Sequence, residues 1–311
     1  MKGRATGGER GEPRVSAWPG RLLVVMLALS LPLAGGASAW RSWTQSSPPS
    51  VEGPGAFPQP ARSGRAVLWA VGDGAGGGDA ARALVAQIAA SRFDRLLYLG
   101  DVYGRGGASH FIRNYAPTYG RLAAKTWPTP GNHDWPLHTQ GYDLYWAQVT
   151  GGRPPPWYSV RLAGWQVLSL NSEAPLGPGS QQGHWLRRQL HRAGTCRVAF
   201  WHRPRYSAGK HGDQEDVAPL WDALRGRTVI VVNGHDHDMQ RFRPIDGITE
   251  LVAGAGGKSL YELDQDDHRL AFASDNAYGA LRLELRPGSA RFAFVGLGGE
   301  VLDSGAIRCH S

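Results

Sequence analysis

Five short apolar segments of this chain stop at a turn or a polar residue and are followed at once by residues able to bind a metal ion. In the last of them, residues 228–232 are apolar, Asn233 and Gly234 break the run, and His235 and His237 follow. An apolar run bounded by such a turn predicts a buried strand. Side chains within a strand alternate between its two faces, but His235 and His237 lie beyond the turn that ends the strand. Both imidazoles can therefore reach one metal. A lone His-x-His is equally compatible with a solvated loop, and it is the repetition in the other segments that favours a metal site.

The other four segments also deliver oxygen or imidazole donors. These are Asp73 after residues 66–71, Asp101 and Tyr103 after residues 96–99, Asn132 and His133 after residues 127–130, and His202 after residues 197–201. In open α/β sheets, ligands gather beyond the carboxyl ends of the strands. A donor set without thiolate suits Fe, Zn, Mn and similar ions. His133 follows a ligand and is not itself expected to bind metal. The other seven donors are too many for one tetrahedral centre and fit two metals if one carboxylate bridges them.

The order of the segments predicts an α/β fold. Strand, helix and strand follow one another in residues 66–99, which indicates a βαβ unit with parallel strands. The remaining predictions are a hairpin (157–162 and 165–170), helices (181–193 and 216–224) and antiparallel strands (248–253, 280–285 and 291–295). No linker interrupts residues 65–311, so we predict one domain there.

The first 64 residues differ in character from the rest. Arg21 precedes an apolar run over residues 22–33, and an A-x-A sequence at residues 37–39 follows, the pattern of a secretory signal peptide. The run is short for a membrane span, although an uncleaved anchor is the alternative. We therefore predict a signal peptide over residues 1–39, a Pro/Ser/Gly-rich disordered linker over residues 40–64, and a secreted or periplasmic protein without stable membrane association.

The net charge of the chain and its cysteine content limit the kinds of partner and of cysteine chemistry that we expect. The formal net charge is +8, which favours anionic partners such as phosphate esters or simply reflects a basic proteome. Basic residues do not alternate with aromatic ones as in nucleic-acid surfaces, so no nucleic-acid partner is expected. The two cysteines, Cys196 and Cys309, have no neighbours at metal-ligand spacing, and in an exported protein such a pair can form one disulfide.

Taken together, four motifs resemble those of the calcineurin-like metallophosphoesterases. They are Gly-Asp at residues 72–73, Gly-Asp at 100–101, Gly-Asn-His-Asp at 131–134 and Gly-His-Asp-His at 234–237. Each motif alone is weak, but their order and spacing together are specific. The resemblance covers residues 65–300 and implies a four-layer α/β/β/α sandwich with the metals at the carboxyl ends of the sheets.

A departure from the general pattern narrows the resemblance to the purple acid phosphatases. Many family members carry a histidine two positions after the first aspartate, where this chain has Ala75. Asp101 is followed by Tyr103 at the spacing of the small purple acid phosphatases, in which a tyrosine is the ligand. The resemblance implies one metal held by Asp73, Asp101, Tyr103 and His237, and a second held by Asp101, Asn132, His202 and His235. A phenolate ligand favours Fe(III) in site 1, with Fe(II), Zn(II) or Mn(II) in site 2.

Three further residues are assigned catalytic roles by the same resemblance. His133 would stabilise charge at the phosphate or protonate the leaving group. Asp134 would orient the His133 ring, or serve structure alone. His211 would face the substrate, unless it is a solvated loop histidine.

The function that this resemblance implies is hydrolysis of phosphate monoesters by an exported binuclear-metal acid phosphatase, with attack by a metal-activated hydroxide. A phosphodiesterase or nucleotidase on the same scaffold is the alternative, and a non-catalytic binding member of the fold is the second. The sequence does not define the ester, the pH optimum or the oligomeric state.

Overall fold

The computed structural model describes residues 64–309 except 75, 77 and 192–195. Every described residue belongs to one compact unit of the chain. The predicted signal peptide, nearly all of the predicted linker, Ala75 and the end of the helix predicted over residues 181–193 lie outside the described residues.

The described residues form thirteen strands, four α-helices of seven or more residues and several other helical turns. The strands are β1 (Ala66–Val71), β2 (Arg95–Tyr98), β3 (Thr126–Pro128), β4 (Tyr158–Leu162), β5 (Trp165–Ser169), β6 (Cys196–Phe200), β7 (Ile230–Asn233), β8 (Met239–Phe242), β9 (Thr249–Ala253), β10 (Leu270–Ser274), β11 (Gly279–Arg286), β12 (Ser289–Gly296) and β13 (Val301–Arg308). The helices are α1 (Asp79–Ala90), α2 (Tyr142–Thr150), α3 (Gln181–Leu190) and α4 (Ala218–Leu224). The other helical turns are Ala108–His110, Phe111–Tyr115, Tyr119–Lys125, Trp135–Gln140 and Glu215–Val217.

The strands are divided between two sheets. One has the order β13-β12-β11-β1-β2-β3, and the other has the order β10-β8-β9-β7-β6-β5-β4. Strands β1, β2 and β3 run parallel in the first sheet, and β5, β6, β7 and β9 run parallel in the second. The remaining pairings are antiparallel. The parallel strands therefore bring their carboxyl ends to one edge of each sheet.

Alternating side chains of β1 explain why one face of the first sheet meets the second sheet and the other meets a helix. Leu68 and Ala70 belong to a buried cluster shared by both sheets. Trp69 and Val71 point the other way and pack with α1, whose buried residues recur at helical spacing: Ala81, Leu84, Val85 and Ile88. A strand with both faces apolar is the expected result of burial on both sides.

The second sheet repeats this arrangement. In β6, Val198 and Phe200 face the cluster between the sheets, whereas Ala199 packs on the outside against residues of α3 and α4. Removing a side chain such as Phe200 from water contributes about 1.5–3 kcal/mol. The layers are helix, sheet, sheet and helix, so the predicted four-layer α/β/β/α sandwich is confirmed.

Most predicted elements are present, with one direction corrected. The βαβ unit, the hairpin of β4 and β5 and the antiparallel pairing of β11 with β12 are as predicted. Strand β9, within the segment predicted to be antiparallel, instead runs parallel to β7 and antiparallel to β8. The prediction did not include β8, and β9 was therefore grouped with the antiparallel strands of the C-terminal hairpin, β11 and β12.

A disulfide joins the middle of the domain to its C-terminal end. Cys196, at the start of β6, is bonded to Cys309 beyond β13, across a separation of 113 residues. The pairing anticipated for two cysteines in an exported protein is therefore present in the fold. In the described part of the chain, no helix is long and apolar enough to cross a bilayer.

Candidate metal centre

The ends of β1, β2, β3, β6 and β7 meet at one edge of the two-sheet core. Loop hydrogen bonds hold them together: the Asp73 amide donates to the Gly100 carbonyl (3.2 Å), and the Gly234 amide donates to the His202 carbonyl (3.0 Å). Ligand atoms of Asp73, Asp101 and His202 lie within 4.8 Å of one another, and all three residues are buried. Side chains far apart in sequence thus share one small volume.

Three of the predicted ligands have left-handed backbone conformations. The φ angle is 60° at Asp73, 65° at Asp101 and 74° at His235. This region is uncommon for residues with a Cβ, although Asp and His enter it more readily than most. It costs of order 1–3 kcal/mol per residue, and residues that keep it cluster at functional sites.

Glycines allow the loops to approach this closely. A Cβ at Gly131 would lie 2.1 Å from Oδ1 of Asp101, and a Cβ at Gly100, where φ is +100°, would lie 2.8 Å from Nδ1 of His202. Any side chain at either position would displace a predicted ligand. These glycines are therefore required by the packing of the ligands themselves.

Asp101, Asn132 and His202 place acceptor atoms against one another. Nδ1 of His202 donates to the Leu99 carbonyl at 2.8 Å, and burial lowers the pKa of His202 to about 4, so Nε2 carries a lone pair near neutral pH. That Nε2 lies 2.9 Å from Oδ1 of Asn132 and 3.4 Å from Oδ1 of Asp101. A carboxylate and an unprotonated imidazole nitrogen cannot hydrogen-bond to each other, but both can bind one cation.

His235 completes this group. Its Nδ1 lies 3.2 Å from Nε2 of His202, and its backbone amide donates to Oδ2 of Asp73 at 2.7 Å. Burial, followed by the nearby His202, lowers the pKa of His235 well below its ordinary value. The neutral ring can therefore offer a lone pair to a cation shared with His202.

Tyr103, Asp73 and His237 form a second group of donors beside the first. The Tyr103 hydroxyl donates to Oδ1 of Asp73 at 2.9 Å and lies 2.5 Å from Nε2 of His237. Nδ1 of His237 donates to the Ser259 carbonyl at 2.7 Å, so its Nε2 is also an acceptor. Since a phenol has one proton, it can satisfy only one of these two acceptors.

Burial opposes negative charge in this cleft unless a cation is bound. It raises the pKa of Asp101 to about 7. Burial and the neighbouring Asp101 together raise the pKa of Asp73 well above its ordinary value. Burial, with Asp73 next in importance, also raises the pKa of Tyr103. A bound metal ion favours the charged form of each ligand, so the donor set fits one or more metal cations better than it fits an empty polar cavity.

His133 lies at the mouth of the cleft. Its Nδ1 is 2.9 Å from the Gly104 carbonyl, its Nε2 is 3.9 Å from Oδ2 of Asp101, and 41% of its side chain is exposed. A carbonyl accepts from Nδ1, which leaves Nε2 directed towards the carboxylate and accessible from solvent.

The contact predicted between Asp134 and the His133 ring is not present. The buried Asp134 carboxylate instead accepts three backbone N–H groups, from Asp101 (2.8 Å), Val102 (2.8 Å) and Gly131 (2.9 Å). The Gly104 carbonyl takes the position beside the ring that Asp134 was expected to occupy. The contacts of Asp134 support the structural alternative, in which it fixes the loops that carry Asp101 and Asn132.

His211 approaches the site from the loop after β6. Its ring stacks on that of His235 with centroids 4.2 Å apart, and its Nδ1 lies 2.8 Å from Oδ1 of Asp236. Asp236 also accepts from the Ser207 hydroxyl, so the ring has a defined orientation. Because Nδ1 is engaged and the side chain is 35% exposed, Nε2 is the nitrogen available to a ligand.

One side of the cleft is formed by Tyr261, which the sequence analysis did not predict. Tyr261 stacks on His237, with centroids 3.9 Å apart, and contacts His211 edge-to-face at 5.4 Å. No motif marks Tyr261, which lies in the long segment between β9 and β10. Its proximity to the strand ends depends on the path of that segment, for example on the Tyr261 amide donating to the His237 carbonyl.

Comparison with known proteins agrees with this geometry. The family model of the calcineurin-like phosphoesterases matches residues 66–239, more than half of the chain. That span begins at β1 and includes every predicted ligand. The chain belongs to the calcineurin-like phosphoesterase family.

The relatives of this phosphoesterase include plant purple acid phosphatases. Purple acid phosphatase 21 of Arabidopsis thaliana is 32% identical over 97 residues, which cover 29% of this chain and 22% of the relative. Probable purple acid phosphatase 20 of the same plant is 26% identical over 171 residues, 46% of this chain and 40% of the relative. The matched segments thus span less than half of either relative.

Solved structures share the fold. Purple acid phosphatase PPD1 of yellow lupin (Lupinus luteus) matches with a TM-score of 0.67 and 19% identity, over 81% of this chain and 55% of the other. GAP50, described as the anchor in the inner membrane complex of Plasmodium, matches with a TM-score of 0.64 and 17% identity, over 79% of this chain and 90% of the other. Identities this low establish a common fold for the phosphoesterase and its neighbours, and nothing finer.

Proposed function

We propose that this phosphoesterase is a binuclear-metal phosphomonoesterase of the purple acid phosphatase type. The observation that carries the proposal is the position of the Tyr103 hydroxyl, which contacts both Asp73 and His237. A tyrosine at this point is what distinguishes the purple acid phosphatases in the motif comparison. The two Arabidopsis thaliana relatives named as purple acid phosphatases support the same choice.

Two groups of residues would hold the metals. Asp73, Tyr103 and His237 would bind the first, Asn132, His202 and His235 would bind the second, and Asp101, which lies between the groups, would bridge them. We further propose Fe(III) at the first position, because a phenolate suits a strong Lewis acid, and Fe(II), Zn(II) or Mn(II) at the second. When bound, such a pair supplies positive charge to the phosphoryl group and acidifies a water molecule.

The chain's own residues would position the substrate and move the proton. In its doubly protonated form, His211 would donate from Nε2 to a phosphoryl oxygen and from Nδ1 to the Asp236 carboxylate, which holds the ring. His133, exposed at the mouth, would enter the reaction protonated on both nitrogens and transfer the Nε2 proton to the ester oxygen as the phosphorus–oxygen bond breaks, while Nδ1 keeps its hydrogen bond to the Gly104 carbonyl. Water supplies the new oxygen on phosphorus, so the products are an alcohol and inorganic phosphate. Asp134 would hold the loops that carry Asp101 and Asn132 in their positions relative to each other.

Two other functions have specific support. A phosphodiesterase or nucleotidase would use the same metals, since the ligands do not determine the ester. A non-catalytic binding role is represented in the fold by GAP50, described as an anchor. The full donor set, with His133 and His211 beside it, favours an enzyme over a binding protein.

Comparison of two substrates tests the proposal. With iron and zinc supplied, the purified protein is expected to hydrolyse p-nitrophenyl phosphate with a kcat/KM at least about tenfold above that for bis(p-nitrophenyl) phosphate, because a dianionic monoester fits two metals and two imidazoles better than a monoanionic diester. Preference for the diester would support the phosphodiesterase. Absence of turnover with either substrate would support the binding role.

We also propose that the protein is exported, with cleavage near Ala39. The proposal rests on the signal-like residues 1–39 and on the disulfide between Cys196 and Cys309, since disulfides persist in oxidising compartments. Non-reducing mass spectrometry of the protein recovered from outside the cytoplasm is expected to show a mature N-terminus near Trp40 and a mass two hydrogens below the reduced form. An intact N-terminus would refute cleavage, and two free thiols would refute the oxidised pairing in that compartment.

A further inference from the structure

Two lysines lie over aromatic rings at the rim of the metal cleft. Nζ of Lys258 is 4.6 Å from the centroid of the Tyr103 ring, and Nζ of Lys210 is 4.6 Å from the centroid of the Tyr261 ring. Each ring in turn contacts His237: Tyr103 at a centroid distance of 5.7 Å and Tyr261 at 3.9 Å. The two ammonium groups are therefore each one ring removed from the same predicted metal ligand.

Neither ammonium group is neutralised by a carboxylate within the described residues, where no ion pair of Lys210 or Lys258 is found. Lys210 is exposed and Lys258 is half-buried. By contrast, arginines elsewhere in the fold pair with acidic side chains, as Arg241 does with Asp303. Two positive charges at the cleft thus remain available to an anion.

The rim of the cleft carries lysines, although most basic residues of the chain are arginines. Of the 34 Lys and Arg residues in the chain, only four are lysines, and two of these four are at this rim. An ammonium group is a compact charge on a flexible stem and can follow a phosphate group without the fixed geometry of a guanidinium. Their location therefore points to a ligand with negative charge beyond the group that is hydrolysed.

We propose that Lys210 and Lys258 form a subsite for a second phosphate, so that the enzyme prefers phosphoanhydrides such as inorganic pyrophosphate over simple monoesters. This inference rests on the proposed hydrolytic function. The scissile phosphoryl group would lie at the proposed metal ligands, beside His133 and His211, and the neighbouring phosphate would lie at the rim of the cleft that carries the two lysines. Water adds to the scissile phosphorus, the bridging phosphorus–oxygen bond breaks, and the second phosphate leaves with the bridging oxygen while the lysines balance its charge.

An alternative role for Lys210 and Lys258 is only to cover the tyrosine rings that they contact. Lys125 is a matched control for this alternative. Its Nζ also lies 4.6 Å from an aromatic centroid, that of Phe93, and Phe93 belongs to the cluster around α1, outside the cleft. Lys→Met keeps most of the stem and removes the charge. Lys→Arg keeps the charge and changes its shape.

The test compares kcat/KM for pyrophosphate and for p-nitrophenyl phosphate in wild type, Lys210→Met, Lys258→Met, Lys258→Arg, the double Met variant and Lys125→Met. Each single cleft variant is expected to raise KM for pyrophosphate by about fivefold to tenfold, and the double variant by about thirtyfold or more. The ratio of the two kcat/KM values falls accordingly, Lys125→Met leaves it at the wild-type value, and Lys258→Arg restores most of it. Calorimetric binding of methylenediphosphonate, which is not hydrolysed, is expected to weaken in the same variants.

Two results would overturn the subsite. One is an unchanged ratio in the double variant, and the other is an equal loss for both substrates, which indicates a disturbed cleft. Wild type that hydrolyses neither substrate but binds methylenediphosphonate in a manner dependent on the two lysines would refute the proposed hydrolysis while supporting the subsite.

Discussion

Asn132→Ala is expected to lower kcat/KM for p-nitrophenyl phosphate by about a thousandfold or more, equivalent to ~4 kcal/mol of transition-state stabilisation. In the fold, Oδ1 of Asn132 lies 2.9 Å from Nε2 of His202. If both bind the second metal, alanine leaves that metal with three protein ligands instead of four. The metal content of the purified variant, measured by atomic emission, is expected to fall from two ions per chain towards one.

The variant is expected to remain folded, since Asn132 is only partly buried. The melting temperature, measured by circular dichroism, is therefore the first check. Asn276→Ala, in the loop before β11, is the matched control and should retain wild-type turnover and metal content. Near-normal turnover in Asn132→Ala would refute the two-metal assignment. Low turnover with two metals still bound would move Asn132 from metal binding to substrate binding.

Tyr103→Phe is expected to abolish a visible absorption band of the iron-loaded protein. Among the proposed ligands only a phenolate can give a ligand-to-metal charge-transfer transition in the visible with ferric iron. The substitution removes one oxygen, which contacts Asp73 and His237, and keeps the ring that lies beneath Lys258. Activity is expected to fall less than in Asn132→Ala, because Asp101 and the second group of ligands are unchanged.

Tyr261→Phe is the control for this prediction. The Tyr261 ring stacks on His237, so the variant has the same chemical change one ring away from the proposed iron site and should retain the band. Absorption spectra of the wild type and the two variants, recorded at equal iron loading, test this prediction. A colourless wild type, or a band that persists in Tyr103→Phe, would exclude Tyr103 as a ligand and place the protein with phosphoesterases that use divalent metals alone.

The sequence by itself indicated the metal-ligand candidates of the cleft, because strand ends carry that information locally. An apolar run followed by a turn specifies where a strand ends, and parallel strands of one sheet end at a common edge. That rule groups Asp73 with Asp101, which follow β1 and β2 of one sheet, and the motif resemblance added His202, which follows β6 of the other sheet. The four layers were implied by the motif resemblance, and the burial of β1 on both faces agrees with them.

Only the tertiary structure decided contacts between loops. The carboxylate of Asp134 could have faced the His133 ring or the backbone, and the approach of the loops bearing Asp101 and Gly131 places three N–H groups on it. The direction of β9 likewise depends on β8, a four-residue strand that supplies its antiparallel neighbour.

The rim of the cleft also belongs to the tertiary structure. Tyr261, Lys210 and Lys258 lie in loops that have neither apolar periodicity nor a motif, so their neighbours depend on where the chain is held at distant points. The Lys258 amide donates to the Asp73 carbonyl, and the Tyr261 amide donates to the His237 carbonyl. Local sequence determines where a strand ends, whereas hydrogen bonds between distant segments determine which loop side chains surround the strand ends.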